Sequence, residues 1–236
     1  RQAAAIRAAD PEALVTVGLL QWSVPAQGMP ADQYTGFRPE NIARHLDFLS
    51  LHFYPLARGV YRYESPDAEE ANLAELECMT RECAKPGKPL VIAEFGWYGG
   101  GPLEPGGPPA DEEQQARWCR RLVEVTAPMA CGWINWGLYD TPDAKDVSRH
   151  TGLITGAGVD KAWGRIFAPL VRALPPGHAL PARPDLPWER CTIDGEAMTR
   201  FQAEYLLAFQ KRSPSPPADD SNPVRGQPAN AAEKPQ

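Results

Sequence analysis

Lys88-Pro-Leu-Val-Ile-Ala-Glu-Phe-Gly-Trp-Tyr-Gly-Gly-Gly101 sets one carboxylate, that of Glu94, at the end of an apolar run. Leu90 to Ala93 is short, continuously apolar and β-branched at its centre, the pattern of a strand buried on both faces of a parallel sheet. Gly96 and then Gly99 to Gly101 end it. A Glu at that end leaves the core where the mouth of a barrel begins, with Phe95, Trp97 and Tyr98 beside it. A carboxylate among aromatic faces suits a sugar, because the C–H face of a pyranose is apolar while its hydroxyls hydrogen-bond at the rim. The competing reading is a strand-end Glu that only salt-bridges a neighbour.

Working outward, strand and helix patterns alternate. Arg1 to Ala9 reads as the end of an alanine-rich helix, closed by Asp10-Pro11, and Leu14 to Leu20 as a strand running into Gln21-Trp22-Ser23. Pro39 to Leu46 is a short helix with proline in its first turn, followed by a strand over Leu46 to Tyr54. Ser65-Pro66 starts a helix carrying Leu73, Leu76 and Cys83 at helical period, and Pro86-Gly87 stops it. After the Glu94 strand, Asp111 caps a helix with Gln114 reaching back, and Ala130 to Trp136 is a fourth strand. Asp160 opens the last strong helix, with Trp163, Ile166, Phe167, Leu170, Val171 and Leu174 on one stripe. The strands begin near residues 14, 47, 89 and 130, one strand, loop and helix per interval. Such alternation predicts parallel strands joined by crossovers. A doubly wound open sheet alternates in the same way, but the glycines after Glu94 lack the G-x-G-x-x-G spacing of its phosphate turn. In a (β/α)8 barrel chemistry sits at the C-terminal ends of the strands. The residues at those ends are Trp22, then His52 and Tyr54, then Glu94, then Trp136.

Composition narrows the partners. A net charge of −6 with no basic cluster argues against nucleic acid, and no apolar run reaches the roughly 18 residues that span a bilayer. Five cysteines show no metal spacing, so buried thiols are the default, and the odd number leaves at least one unpaired. Asp140, Asp143 and Asp146 have the wrong ligand pattern for a calcium loop and read as solvated loop. No metal or other cofactor is implied. The chain opens at Arg1 inside a helical pattern and reads as a fragment or processed product. Beyond Leu174 the composition changes: residues 175–212 form a proline-rich extension with a helix pattern over Glu196 to Arg212, and residues 213–236 read as a disordered tail.

The run Val91-Ile-Ala-Glu-Phe-Gly-Trp97, with His52-Phe-Tyr54 before it and Trp136 after it, resembles the second half of the clan A glycoside hydrolases, most closely the cellulase- and mannanase-like family five. Arg7 to Gly18 is similar to the segment leading into that family's fifth strand, and Gly152-Leu-Ile154 with Asp160-Lys161 and Trp163 to its eighth unit. The resemblance spans residues 1–174 and implies an α/β fold, a (β/α)8 TIM barrel of which only strands 5 to 8 are present. It further implies a retaining glycoside hydrolase acting on a β-linked oligo- or polysaccharide. Glu94 would be the nucleophile, Tyr54 its hydrogen-bonding partner and His52 a neighbour lining the site; Trp136 would be the sugar platform, with Trp97 and Trp22 at flanking subsites. A polymeric glycan substrate favours an extracytoplasmic location.

One departure from the family matters. A retaining mechanism needs a second carboxyl about 5 to 5.5 Å from the first, to protonate the leaving oxygen. The family carries it as Glu after Asn on its fourth strand, and no Asn-Glu pair occurs in this sequence. Glu64, Glu104 and Asp140 sit in loops the family does not use for this role. The expectation is therefore an enzyme whose acid/base Glu lies upstream of Arg1. The alternative is a non-catalytic carbohydrate-binding or pseudoenzyme module that keeps the indoles without the acid.

Overall fold

A computed structural model describes residues 1–20, 23–24, 37–56, 61–174 and 180–211. The expected strand-end Trp22 and the expected tail over 213–236 lie outside the described residues. After helix α1 (Gln2–Ala9), Leu14 to Val17 run extended into the short strand β1 (Gly18–Leu19). Helix α2 (Pro39–Ile42) continues as a 3-10 turn over Ala43–His45 and leads to β2 (Leu49–His52). Helix α3 (Pro66–Ala84) leads to β3 (Leu90–Phe95). A two-stranded antiparallel ribbon, β4 (Gly101–Pro102) with β5 (Pro109–Ala110), stands before α4 (Glu112–Thr126). Strand β6 (Gly132–Asn135) and helix α5 (Ala162–Ala173) complete the alternation.

The sheet order is β1-β2-β3-β6, every neighbouring pair parallel. Four strand–helix units around a parallel sheet make this a partial (β/α)8 barrel. The strand registers bring His52 opposite Glu94 and Phe95 opposite Asn135, so the ends carrying the polar residues are level. Leu49, Leu51, Leu90 and Ile92 are buried on the helix side, against Leu73, Leu76 and Met79 of α3 and Leu122 and Val123 of α4. Each such side chain contributes about 1.5–3 kcal/mol of transfer free energy. Val91 and Ala93, on the alternate positions of β3, are only half-buried. The expectation of a strand buried on both faces is corrected here: period-two alternation hides one face and leaves the other partly open.

Local chemistry fixes the helix starts. The Ser65 hydroxyl accepts from the Ala68 amide, with Pro66 in the first turn. Asp111 and Gln114 form a reciprocal capping box on α4. Helix α5 starts at Ala162 rather than Asp160, because Asp160 bridges to Ile154. All five cysteines are free; Cys131, expected to be buried, is exposed. Beyond the barrel part, α6 (Trp188–Cys191) and α7 (Gly195–Gln210) follow. Met198, Phe201, Tyr205 and Phe209 of α7 are buried, and α7 packs on α3. No helix among the described residues is long and apolar enough to cross a membrane.

Candidate active site

Glu94 is the penultimate residue of β3, where the side chain passes from sheet to mouth. Its two oxygens are held from the neighbouring strand. The Tyr54 hydroxyl donates to Oε2 at 2.8 Å, and His52 Nδ1 lies 3.2 Å from Oε1. An Nδ1–H imidazole donates there. About a quarter of the Glu94 side chain stays exposed, so the carboxylate is both gripped and reachable. Burial, then the hydrogen bond to Glu94 and the charges of Glu94 and Asp146, raise the Tyr54 phenol well above its ordinary value. The phenol therefore stays a neutral donor across the working pH range.

Gly18 makes room for this arrangement. A Cβ at that position of β1 would lie 2.7 Å from Cε1 of the His52 ring. A glycine inside a strand is the usual sequence sign of such close approach, and it is a site residue that the pattern reading passed over.

Trp136 follows β6 and is 41% exposed, the condition for a face that a ligand can cover. Its backbone amide donates to Phe95 O at 2.8 Å, next to Glu94 in the chain. Its indole Nε1 donates to Ser148 Oγ at 3.2 Å. Asn135 supports the turn beyond it, donating to Gly137 O and Thr151 O while its own oxygen accepts from the Trp163 indole. Trp133 points the other way and donates to Thr126 of α4.

Trp97 does not line the mouth. It is 1% exposed, packed edge-on against Tyr98 within the core, so its expected place at a flanking subsite is corrected: a buried ring offers a ligand no face. Gly96, at φ +144, turns the chain between Glu94 and Trp97, which lets the strand-end carboxylate and the core indole part company.

Asp140 also departs from expectation. Its side chain is buried, and both oxygens accept from Lys161 Nζ at 3.0 Å. It is the anchor of a polar cluster, not solvated loop. Glu104, between β4 and β5, pairs with Arg62 at 2.7 Å. No group of three or more His, Cys, Asp or Glu among the described residues is placed to hold a metal ion.

Residues 1–141, more than half of the chain, match the family model described as Cellulase (glycosyl hydrolase family 5). Among solved structures, a β-D-glucuronidase from Dictyoglomus thermophilum is 18% identical with a TM-score of 0.52, over 75% of this chain and 28% of that one. A β-glucuronidase from Faecalibacterium prausnitzii is 19% identical with a TM-score of 0.51, over 73% and 27%. The apo β-glucuronidase of Ruminococcus gnavus is 21% identical with a TM-score of 0.52, over 72% and 28%. At these identities the likeness is one of fold. The chain spans little more than a quarter of the length of these structures. Comparison with curated proteins found no match.

Proposed function

The chain belongs to glycosyl hydrolase family 5, the cellulase family, and on that premise we propose that it carries the nucleophile side of a retaining glycoside hydrolase. The supporting observation is the double grip on Glu94, with one oxygen held by Tyr54 and the other by His52, while the exposed Trp136 is tied through its backbone amide to Phe95, the residue after Glu94 in the chain.

In this reading a β-linked sugar lies on Trp136 with its anomeric carbon in front of Glu94. The carboxylate attacks, the glycosidic C–O bond breaks, and a glycosyl ester forms on Glu94; water then opens that ester. Tyr54 and His52 each occupy one lone pair per oxygen, which fixes the plane of the carboxylate and leaves the remaining lone pairs for attack. The leaving oxygen takes its proton from a second carboxyl, which we place outside this chain. The chain alone is accordingly expected to be inactive on unactivated glycans.

The test uses the full-length protein containing this chain. Glu94→Gln is expected to abolish hydrolysis of β-linked glucans and mannans while leaving their binding near the wild-type level. Turnover by that variant at the wild-type rate removes the nucleophile assignment. Wild-type protein that binds these glycans and turns over none of them favours a carbohydrate-binding module instead.

A further inference from the structure

Lys161 is wholly buried, and its ammonium has three acceptors for three N–H bonds: the Asp140 carboxylate, Gly99 O at 2.7 Å and His150 O at 2.9 Å. These acceptors come from two different loops. Gly99 lies five residues beyond Glu94, whereas Asp140 and His150 belong to the loop that follows Trp136. Asp140 Oδ1 also accepts from the Gly152 amide at 2.8 Å, and His150 O also accepts from the Gly99 amide at 3.0 Å. Both ends of the 140–152 loop are thereby pinned beside the loop that leaves β3. Close packing reinforces the pin, since a Cβ on Gly152 would sit 2.4 Å from the Asp140 nitrogen.

Between the pinned ends the loop is laced to itself. Thr141 N donates to Ser148 O, Ser148 N to Asp146 Oδ1, and Arg149 to Ala144 O. Ser148 therefore has a fixed position, and its hydroxyl takes the indole N–H of Trp136. An exposed ring with one polar tether keeps its tilt only as long as the tether stays put.

We propose that Lys161 and Asp140 are a positioning pair that sets the pose of the Trp136 indole through Ser148, and with it the affinity of the sugar subsite. The affinity clause rests on the reading of Trp136 as a sugar platform; the pose clause does not. A buried ion pair is a poor way to gain stability, because desolvation opposes it. Burial holds the Lys161 ammonium below its ordinary value, against the pull of Asp140. What the pair supplies is geometry, three directed bonds across two loops.

The test labels the full-length protein with 5-fluorotryptophan and assigns the Trp136 fluorine resonance by its loss in Trp136→Phe. In Lys161→Met/Asp140→Asn, which removes both charges, that resonance is expected to shift or broaden while that of Trp188, on helix α6, stays. Ser148→Ala should move it in the same direction, and Asp140→Asn alone, which leaves the buried ammonium without its counter-charge, should move it as well. Ser148→Ala, which touches no buried charge, keeps the test decisive if the charge variants do not fold. On a β-glucan or β-mannan that the wild type turns over, the double variant is expected to raise KM about tenfold, a change of about 1.4 kcal/mol, with kcat within twofold. In a Trp136→Ala background it should have no further effect on KM. A Trp136 resonance that stays in place in these folded variants overturns the proposal and leaves the Glu94 reading intact. A resonance that moves without any change in KM overturns the affinity clause.

Discussion

Tyr54 gives Glu94 a hydrogen bond that a phenol makes and a phenylalanine cannot. A neutral donor on a charged acceptor is worth about 1.5–3 kcal/mol, so Tyr54→Phe is expected to lower kcat/KM by about ten- to a hundredfold while Trp136 still holds the sugar. Steady-state kinetics on the full-length protein checks this; an unchanged kcat/KM would mean that His52 alone orients the carboxylate. Because the Tyr54 phenol is raised above its ordinary value, its donor form persists above pH 10, and an alkaline fall in rate there belongs to another group. That Glu94, Tyr54 and His52 meet at one end of the sheet was legible in the sequence, because each is a polar or aromatic residue at the end of an apolar run. Gly18, Ser148, Asp140 and Lys161 were not, since their roles depend on neighbours 12 to 62 residues away that only the fold brings near. Trp97 was misread for a related reason: aromatic character does not say which way a ring turns after a glycine.

Elements with a local cause were the most readable. Helices α3 and α4 start at Ser65 and Asp111 because those side chains cap free amides, a signal written within four residues. The loop after β6 has no such signal, and its order comes from buried charge. There, burial lowers the His150 imidazole below its ordinary value of 6.5, with Asp140 opposing and Lys161 and Arg149 assisting. A base whose folded value is depressed adds stability that is full above the unfolded value and is lost as pH falls through the folded one. Wild-type protein should therefore lose melting temperature between neutral pH and pH 5 more steeply than His150→Gln; equal slopes in the two pH–melting profiles would refute the assignment. The docking of α7 on α3 is likewise ionic at its centre. Glu77, buried on α3, accepts from Arg183 at 2.6 and 3.1 Å, from Arg81 at 3.0 Å and from Tyr205 of α7 at 3.0 Å. Arg183→Met strands part of that carboxylate and is expected to cost about 3 kcal/mol, a fall of roughly 6–12 °C at about 2–4 °C per kcal/mol. A change under 2 °C would show the contact to be dispensable.

For the molecule as a whole, the spacing of strand patterns conveyed the architecture, since each unit repeats one parallel strand and one covering helix. What spacing did not convey is how the proline-rich extension sits. We propose residues 1–174 as the barrel part and 175–212 as an arm, and the buried Arg183 and Trp188, bonded to Glu77 and Glu82 of α3, fasten that arm to the barrel. The sheet itself remains open among the described residues, with β1 and β6 at its flanks. A closed barrel has no edges; an open parallel sheet presents unpaired N–H and C=O groups along both flanks. On β6 this edge is accompanied by Ile134, 58% exposed, and before β1 by Leu14, 76% exposed. Backbone pairing capacity next to exposed apolar side chains favours strand addition from another molecule. The net charge of −6 opposes close approach, but that repulsion fades beyond about 8–10 Å at physiological salt, whereas edge pairing acts at contact. The 236-residue chain on its own is thus expected to self-associate as its concentration rises in sedimentation velocity, more so in 0.5 M salt than at low salt. Ile134→Lys, which puts a charge beside the β6 edge, should reduce this. A monomer at every concentration, melting in one cooperative step, would mean that both flanks are already covered.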